Sequence, residues 1–160
     1  MPPADAFLEI DGRKWRRSDP RIPPALRQQL VNELMSARRA VRAATGAMET
    51  RAARQRVQDA KVALGERGAA WWLEATPADL ERRAEAAIRA LLRSRLEGAT
   101  ICPSEPARIV DGESWRRLLP MVRERAVRLA EAGQIVIFRA RRPATGDLTT
   151  GVLRYGLPSS

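Results

Sequence analysis

Residues 76–95, TPADLERRAEAAIRALLRSR, decide how the chain is read. Thr76 has the side chain of a helix N-cap, and Asp79 falls three residues after it. Pro77 takes the first helical position, where its missing N–H is no loss. Leu80, Ala84, Ile88, Leu91 and Leu92 then recur at helical spacing and give a buried stripe through about Arg95. Gly98 breaks the run.

Downstream, Thr100-Ile101 suits a short strand, and Ser104 is placed to cap a short helix through Val110. Asp111-Gly112 turns the chain into Glu113-Ser114-Trp115. Pro120 disfavours helical geometry at Leu119 and lacks a backbone donor, so either Glu113 to Leu118 is a separate turn or a longer helix kinks. A start at Pro120 is preferred, with Val122, Ala126 and Leu129 as the buried stripe and Gly133 as the stop. Gln134 to Arg141 alternates as a strand, with Ile135 and Ile137 on one face and Val136 and Phe138 on the other. Gly151 to Tyr155 supplies its return, across a loop from Arg142 to Thr150. Helix, short strand, helix, helix and a long-tipped hairpin is the order of a winged helix-turn-helix domain, expected here for residues 76–160.

Residues 1–75 read as a β-hairpin followed by an antiparallel helical hairpin. Asp11-Gly12 is a dipeptide favoured in two-residue hairpin turns, and that turn sets Leu8 opposite Trp15 and Glu9 opposite Lys14. Ser18-Asp19-Pro20 through Pro23-Pro24 breaks the chain. Leu30, Leu34, Ala37, Val41 and Ala44 form the seam of one helix, stopped by Gly46, and Ala53, Val57, Ala60 and Leu64 form the seam of the next, stopped by Gly65. The other faces carry Arg27, Arg38, Arg39 and Arg42, then Arg51, Arg54, Arg56 and Lys61. Such a charge run reads as a solvated face, with nucleic-acid contact as the alternative. The fold class is mainly α with a small β component. Trp71 and Trp72 are too large to leave in water; packing against the hairpin or the second domain is the first reading, and a partner interface the second.

Composition narrows the chemistry. The 160 residues contain no histidine and one cysteine, Cys102, so disulfides, Cys/His zinc sites and His-dependent triads are excluded. Most Asp and Glu lie among arginines on patterns that read as solvated. The expectation is a protein that is not an enzyme, with no catalytic, cofactor or metal residues. Cys102 precedes a helix start, where a thiolate is favoured, but a small residue between Ile101 and Pro103 reads first as buried. Trp115 reads as a core anchor closing the turn. No run of apolar residues approaches membrane-span length and no secretory leader opens the chain, which implies a cytoplasmic protein without membrane contact.

The formal charge is +10, and all basic residues except Lys14 and Lys61 are arginine. Such a balance favours polyanionic partners. The same Arg and Ala bias is also what a GC-rich genome imposes. If the helix from Pro120 is a recognition helix, its outward face presents Met121, Glu124 and Arg128, with Arg117 just upstream, while the wing adds Arg139, Arg141 and Arg142. These residues make duplex DNA the expected partner. A protein-interaction scaffold, RNA binding and homodimer formation stand as alternatives.

A resemblance runs parallel to this reading. Ala99-Thr100-Ile101-Cys102-Pro103-Ser104-Glu105, Trp115-Arg116, Pro120-Met121-Val122-Arg123 and Gly133-Gln134-Ile135 resemble the bacterial domain of unknown function family 3253. The resemblance implies a small winged-helix domain from Pro77 to about Leu157, with no established activity. Pro106 departs from the aliphatic or alanine residue usual after that Glu. In the N-terminal half, Trp15-Arg16, Asp19-Pro20, Glu33-Leu34-Met35 and residues 60–68 resemble a leader region of actinobacterial members, some of which carry the label of a Tol-type biopolymer transporter. The residues themselves show neither a membrane segment nor a solute-binding signature.

Overall fold

The computed structural model describes residues 1–159. Strands β1 (Phe7–Ile10) and β2 (Arg13–Arg16) form the expected hairpin, with Leu8 opposite Trp15 and Glu9 opposite Lys14. Asp11 and Gly12 both take positive φ, as a type I′ turn requires. Helices α1 (Pro24–Ala43) and α2 (Ala47–Leu64) follow as an antiparallel pair. Gly46, expected to stop α1, instead precedes α2 at φ 92°, while Gly65 ends α2 in the left-handed region as expected.

Helix α3 (Pro77–Ser94) begins with the complete capping box, since Thr76 accepts from the Asp79 N–H and the Asp79 carboxylate accepts from the Thr76 N–H. It is the central helix. One face, marked by Arg83, Ala86, Ala90 and Arg93, turns to the α1–α2 pair, and its neighbour turns to the C-terminal elements. Helix α4 (Ser104–Asp111) starts at Ser104, but that side chain makes no backbone cap; its hydroxyl donates to Cys102 Sγ, and Glu105 accepts the Cys102 N–H instead. Cys102 is half-buried rather than buried. A separate 3-10 turn spans Gly112–Leu118, and α5 (Leu119–Glu131) carries Pro120 in its first turn, where proline is tolerated.

Strand β3 (Val136–Arg139) ends two residues earlier than the alternation suggested, because Ala140 and Arg141 form a tight turn. Arg142 therefore lies in β4 (Arg142–Pro143) rather than in the loop. Strand β5 (Arg154–Gly156) completes a three-stranded antiparallel sheet of order β4-β3-β5, and Ile101 bridges the free side of β5 at Tyr155.

Apolar burial is continuous across the boundary expected between residues 75 and 76. One cluster joins Leu26, Leu30 and Leu34 of α1, Leu64 of α2, Ile88 and Leu91 of α3, Ile109 of α4, Val122 of α5 and Tyr155 of β5.

Most carboxylates are solvated as expected, but four buried or half-buried acids, Glu33, Asp59, Asp19 and Glu85, tie these elements together. Glu33 on α1 accepts two bonds from Arg56 on α2 at 2.7 and 3.0 Å. Asp59 on α2 accepts from Arg89 and Arg93 on α3. Asp19, fully buried before α1, accepts from Arg83 on α3 and from Arg21. Glu85 on α3 accepts from Arg125 on α5 at 2.6 Å. Arg56 and Lys61 thus leave the solvated face assigned to them: Arg56 is half-buried on Glu33, and Lys61 is buried over the Trp15 ring.

Candidate nucleic-acid interface

The side chains expected to meet DNA lie on α5, on the 3-10 turn before it and on the β3–β4 hairpin, and the structure treats them unequally. Arg128 is exposed on α5 with no partner among the described residues, and it stands between the exposed acids Glu124 and Glu131. Met121 is half-buried against the core, because the proline-started helix turns that position inward. Arg117 is exposed but held by Asp111, whose Oδ2 accepts both its Nε and its Nη2. Arg123 and Arg125, the other basic residues of α5, point elsewhere. Arg123 donates to the Gly151 carbonyl at 2.9 Å, and Arg125 reaches Glu85, whose hydrogen bond raises the Arg125 pKa further above its ordinary value.

The hairpin divides its arginines by role. Arg139 donates from Nη2 to the carbonyls of Asp147 at 2.7 Å and Thr150 at 3.0 Å, so it braces the following loop. Asp147 in turn accepts from the hydroxyls of Thr149 and Thr150 and from the Thr149 N–H. Those bonds hold its carboxyl below the usual carboxylate range. Arg141 and Arg142 are left exposed at the tip and unpaired among the described residues. Ala140 and Arg141 sit at φ 51° and 67°, a region that disfavours side chains by about 1 to 2 kcal/mol per residue.

Of the expected contacts, Arg128, Arg141 and Arg142 therefore present free guanidinium groups. Arg139 and Arg117 shape the surface, and Met121 belongs to the core. Sequence reasoning missed the two residues that order the loop after β4, Arg123 on the Gly151 carbonyl and Asp147 on Thr149 and Thr150. The Asp-x-Thr-Thr pattern at 147–150 was the available signal, since an Asx-type turn orders such a loop.

The tryptophans belong to packing. Trp72 meets Phe7 edge to face at 5.5 Å and Trp71 at 5.2 Å, and Trp71 donates its indole N–H to the Arg17 carbonyl at 3.0 Å. They close the segment after α2 onto the β1–β2 hairpin. Trp115 is half-buried against the core, with the guanidinium groups of Arg108 and Arg116 at 4.8 and 4.5 Å from its ring. Among the described residues, no group of three or more acid, histidine or cysteine side chains is placed to hold a metal ion, and no helix is long and apolar enough to cross a membrane.

Residues 81–158 match the family described as Protein of unknown function (DUF3253). The match begins inside α3 and runs through β5, so the hairpin arginines and α5 all fall within the matched residues. It leaves out residues 1–80, where the leader-region resemblance was read. No curated protein matches the chain.

Proposed function

We propose that residues 77–157 form a winged helix that binds duplex DNA, mainly through the phosphate backbone. Support for the winged-helix part comes from strand order: β5 lies between β3 and the single bridge residue Ile101, so the segment before α4 is joined to the sheet made by the strand after α5 and the returning strand. The observation that carries the DNA reading is the exposed, unpaired pair Arg141 and Arg142 at the tip of the β3–β4 hairpin, whose Arg139 ties it to the carbonyls of Asp147 and Thr150 in the following loop. Guanidinium groups on a fixed turn meet phosphates with little ordering loss.

Base reading has less support, because Glu124 and Glu131 flank Arg128 and would sit near phosphates in a groove-bound pose. The proposal is accordingly for backbone-dominated binding with weak sequence preference. It is tested by mobility shift of the full chain on random duplex DNA at two salt concentrations. Retarded complexes that weaken at the higher salt are expected; no complex at low salt overturns the reading.

A further inference from the structure

A second basic surface lies in the N-terminal region, outside the DUF3253 match. A cleft of about 780 Å³ opens between the β1–β2 hairpin and the α1–α2 pair. Leu8, Ile10, Trp15 and Val57 give it an apolar wall. Arg17, Arg27, Arg38 and Arg42 line it as well, and none of the four makes a side-chain hydrogen bond or ion pair among the described residues. The arginines between packed elements differ from these four: Arg56, Arg83, Arg89, Arg93, Arg95 and Arg125 are each engaged with a carboxylate. Only Asp5 and Glu66 oppose the positive charge on the cleft wall.

The shape of the charge selects its occupant. Arg27 to Arg42 covers roughly 22 Å along α1 at 1.5 Å per residue, too long for one phosphate or one small carboxylate. An extended peptide covers that span with about seven residues. The aromatic groups do not favour a nucleic-acid strand, which wants open ring faces for stacking. Trp15 already carries Arg13 at 4.8 Å and Lys61 at 5.0 Å over its ring, and Trp71 is tied to Trp72 and the Arg17 carbonyl. The aliphatic wall instead fits side chains such as leucine.

We infer that this cleft docks an extended acidic peptide segment of a partner protein, its carboxylates on Arg27, Arg38 and Arg42 and its apolar side chains against Leu8, Ile10 and Val57. The charge state of the wall agrees with that assignment. Burial is the main cause that sets the Lys61 pKa below its ordinary value; the charges of Arg67 and Arg38 add to it, and arriving carboxylates offset that second part alone.

The test is fluorescence anisotropy of the full chain with a labelled peptide of alternating Glu and Leu, about ten residues long so as to span the cleft. Saturable binding that weakens with salt is expected. Arg38→Ala/Arg42→Ala should weaken it about tenfold, and Ile10→Asn severalfold, while Arg141→Ala/Arg142→Ala leaves it unchanged. Arg38 and Arg42 hold no internal partner, so a melting curve like the parent's is expected for that variant. Should it misfold, Arg27→Glu provides the same readout. Absence of saturable binding, equal loss with the hairpin variant, or displacement of the peptide by an equally charged oligothymidylate overturns the inference. Duplex DNA binding is measured separately, so failure here leaves the reading of the C-terminal half standing.

Discussion

Asp59 on α2 and Arg89 on α3 form a two-point ion pair, 3.0 and 3.1 Å, with the carboxylate 2% exposed and a third bond arriving from Arg93 at 2.7 Å. A buried pair is weak proof of net stabilisation, but removing one member strands the other. Both arginines keep some access to water, which limits the loss. Asp59→Ala is expected to lower unfolding free energy by about 2 to 4 kcal/mol. Asp79→Ala, which deletes the surface half of the capping box at Thr76, should cost distinctly less. Denaturant titration of both variants decides the matter; equal costs would mean that the pair contributes nothing beyond a surface contact.

Acid sensitivity follows from the same ion pairs. Burial works against the charge on Asp19, but hydrogen bonds from Arg21 and the charge of Arg83 outweigh it and hold the carboxyl below its ordinary value. Glu105 is lowered in the same way: burial opposes, while Arg95 and the Cys102 N–H prevail. An acid with a lowered folded pKa stabilises the fold above its unfolded pKa, here about 4, and loses that contribution as pH falls toward the folded value. Glu66 has the opposite sign, since burial pushes its carboxyl up and the fold accepts its proton readily. The melting temperature should therefore drop between about pH 4 and pH 2, and Glu105→Gln should make that drop shallower. An unchanged acid limb in this variant would remove Glu105 from the account.

Gly112 is a backbone requirement at the junction of α4 and the 3-10 turn. It sits at φ +43°, and a Cβ there would lie 3.1 Å from the Arg21 carbonyl oxygen. Gly112→Ala should destabilise by about 1 to 3 kcal/mol, whereas Gly98→Ala, with open space around it, should cost less. Thermal melts of the two variants make the comparison.

Much of the architecture was readable because it rests on local chemistry. Asp11-Gly12, the capping box at Thr76 and Asp79, and Pro120 each act on their own turn of chain, and each element begins or turns where those residues direct. The ion pairs were not readable. Asp59 and Arg89 share no sequence pattern that separates them from solvated neighbours, and only the packing of α2 on α3 brings them together. The same limit applies to the residues expected to meet DNA. Periodicity placed Arg128 outward, but nothing local showed that Asp111 would hold Arg117, or that Met121 would turn toward the core.

The boundary expected between residues 75 and 76 likewise has continuous burial across it. A fragment beginning near Glu74 should keep mixed helix and strand signals by circular dichroism. It would nevertheless expose the face of α3 marked by Ala86 and Ala90, small residues that let the α1–α2 pair approach closely. Its melting temperature should fall well below that of the full chain. A fragment as stable as the parent would show that the α1–α2 pair contributes little to the fold.

The sharpest test of the DNA reading separates stability from binding at one residue. Arg141 is held at φ 67° in a two-residue turn that prefers glycine, so Arg141→Gly should relieve about 1 kcal/mol of strain and raise the melting temperature. The same change removes a guanidinium proposed to meet phosphate. Affinity for random duplex DNA should therefore fall on all sequences, and the slope of log affinity against log salt should flatten by about 0.9. Arg128→Ala should lower affinity without stabilising the fold. Opposite signs for stability and affinity cannot come from general damage to the hairpin. If Arg141→Gly raises the melting temperature and leaves both affinity and salt slope unchanged, the hairpin tip does not contact DNA.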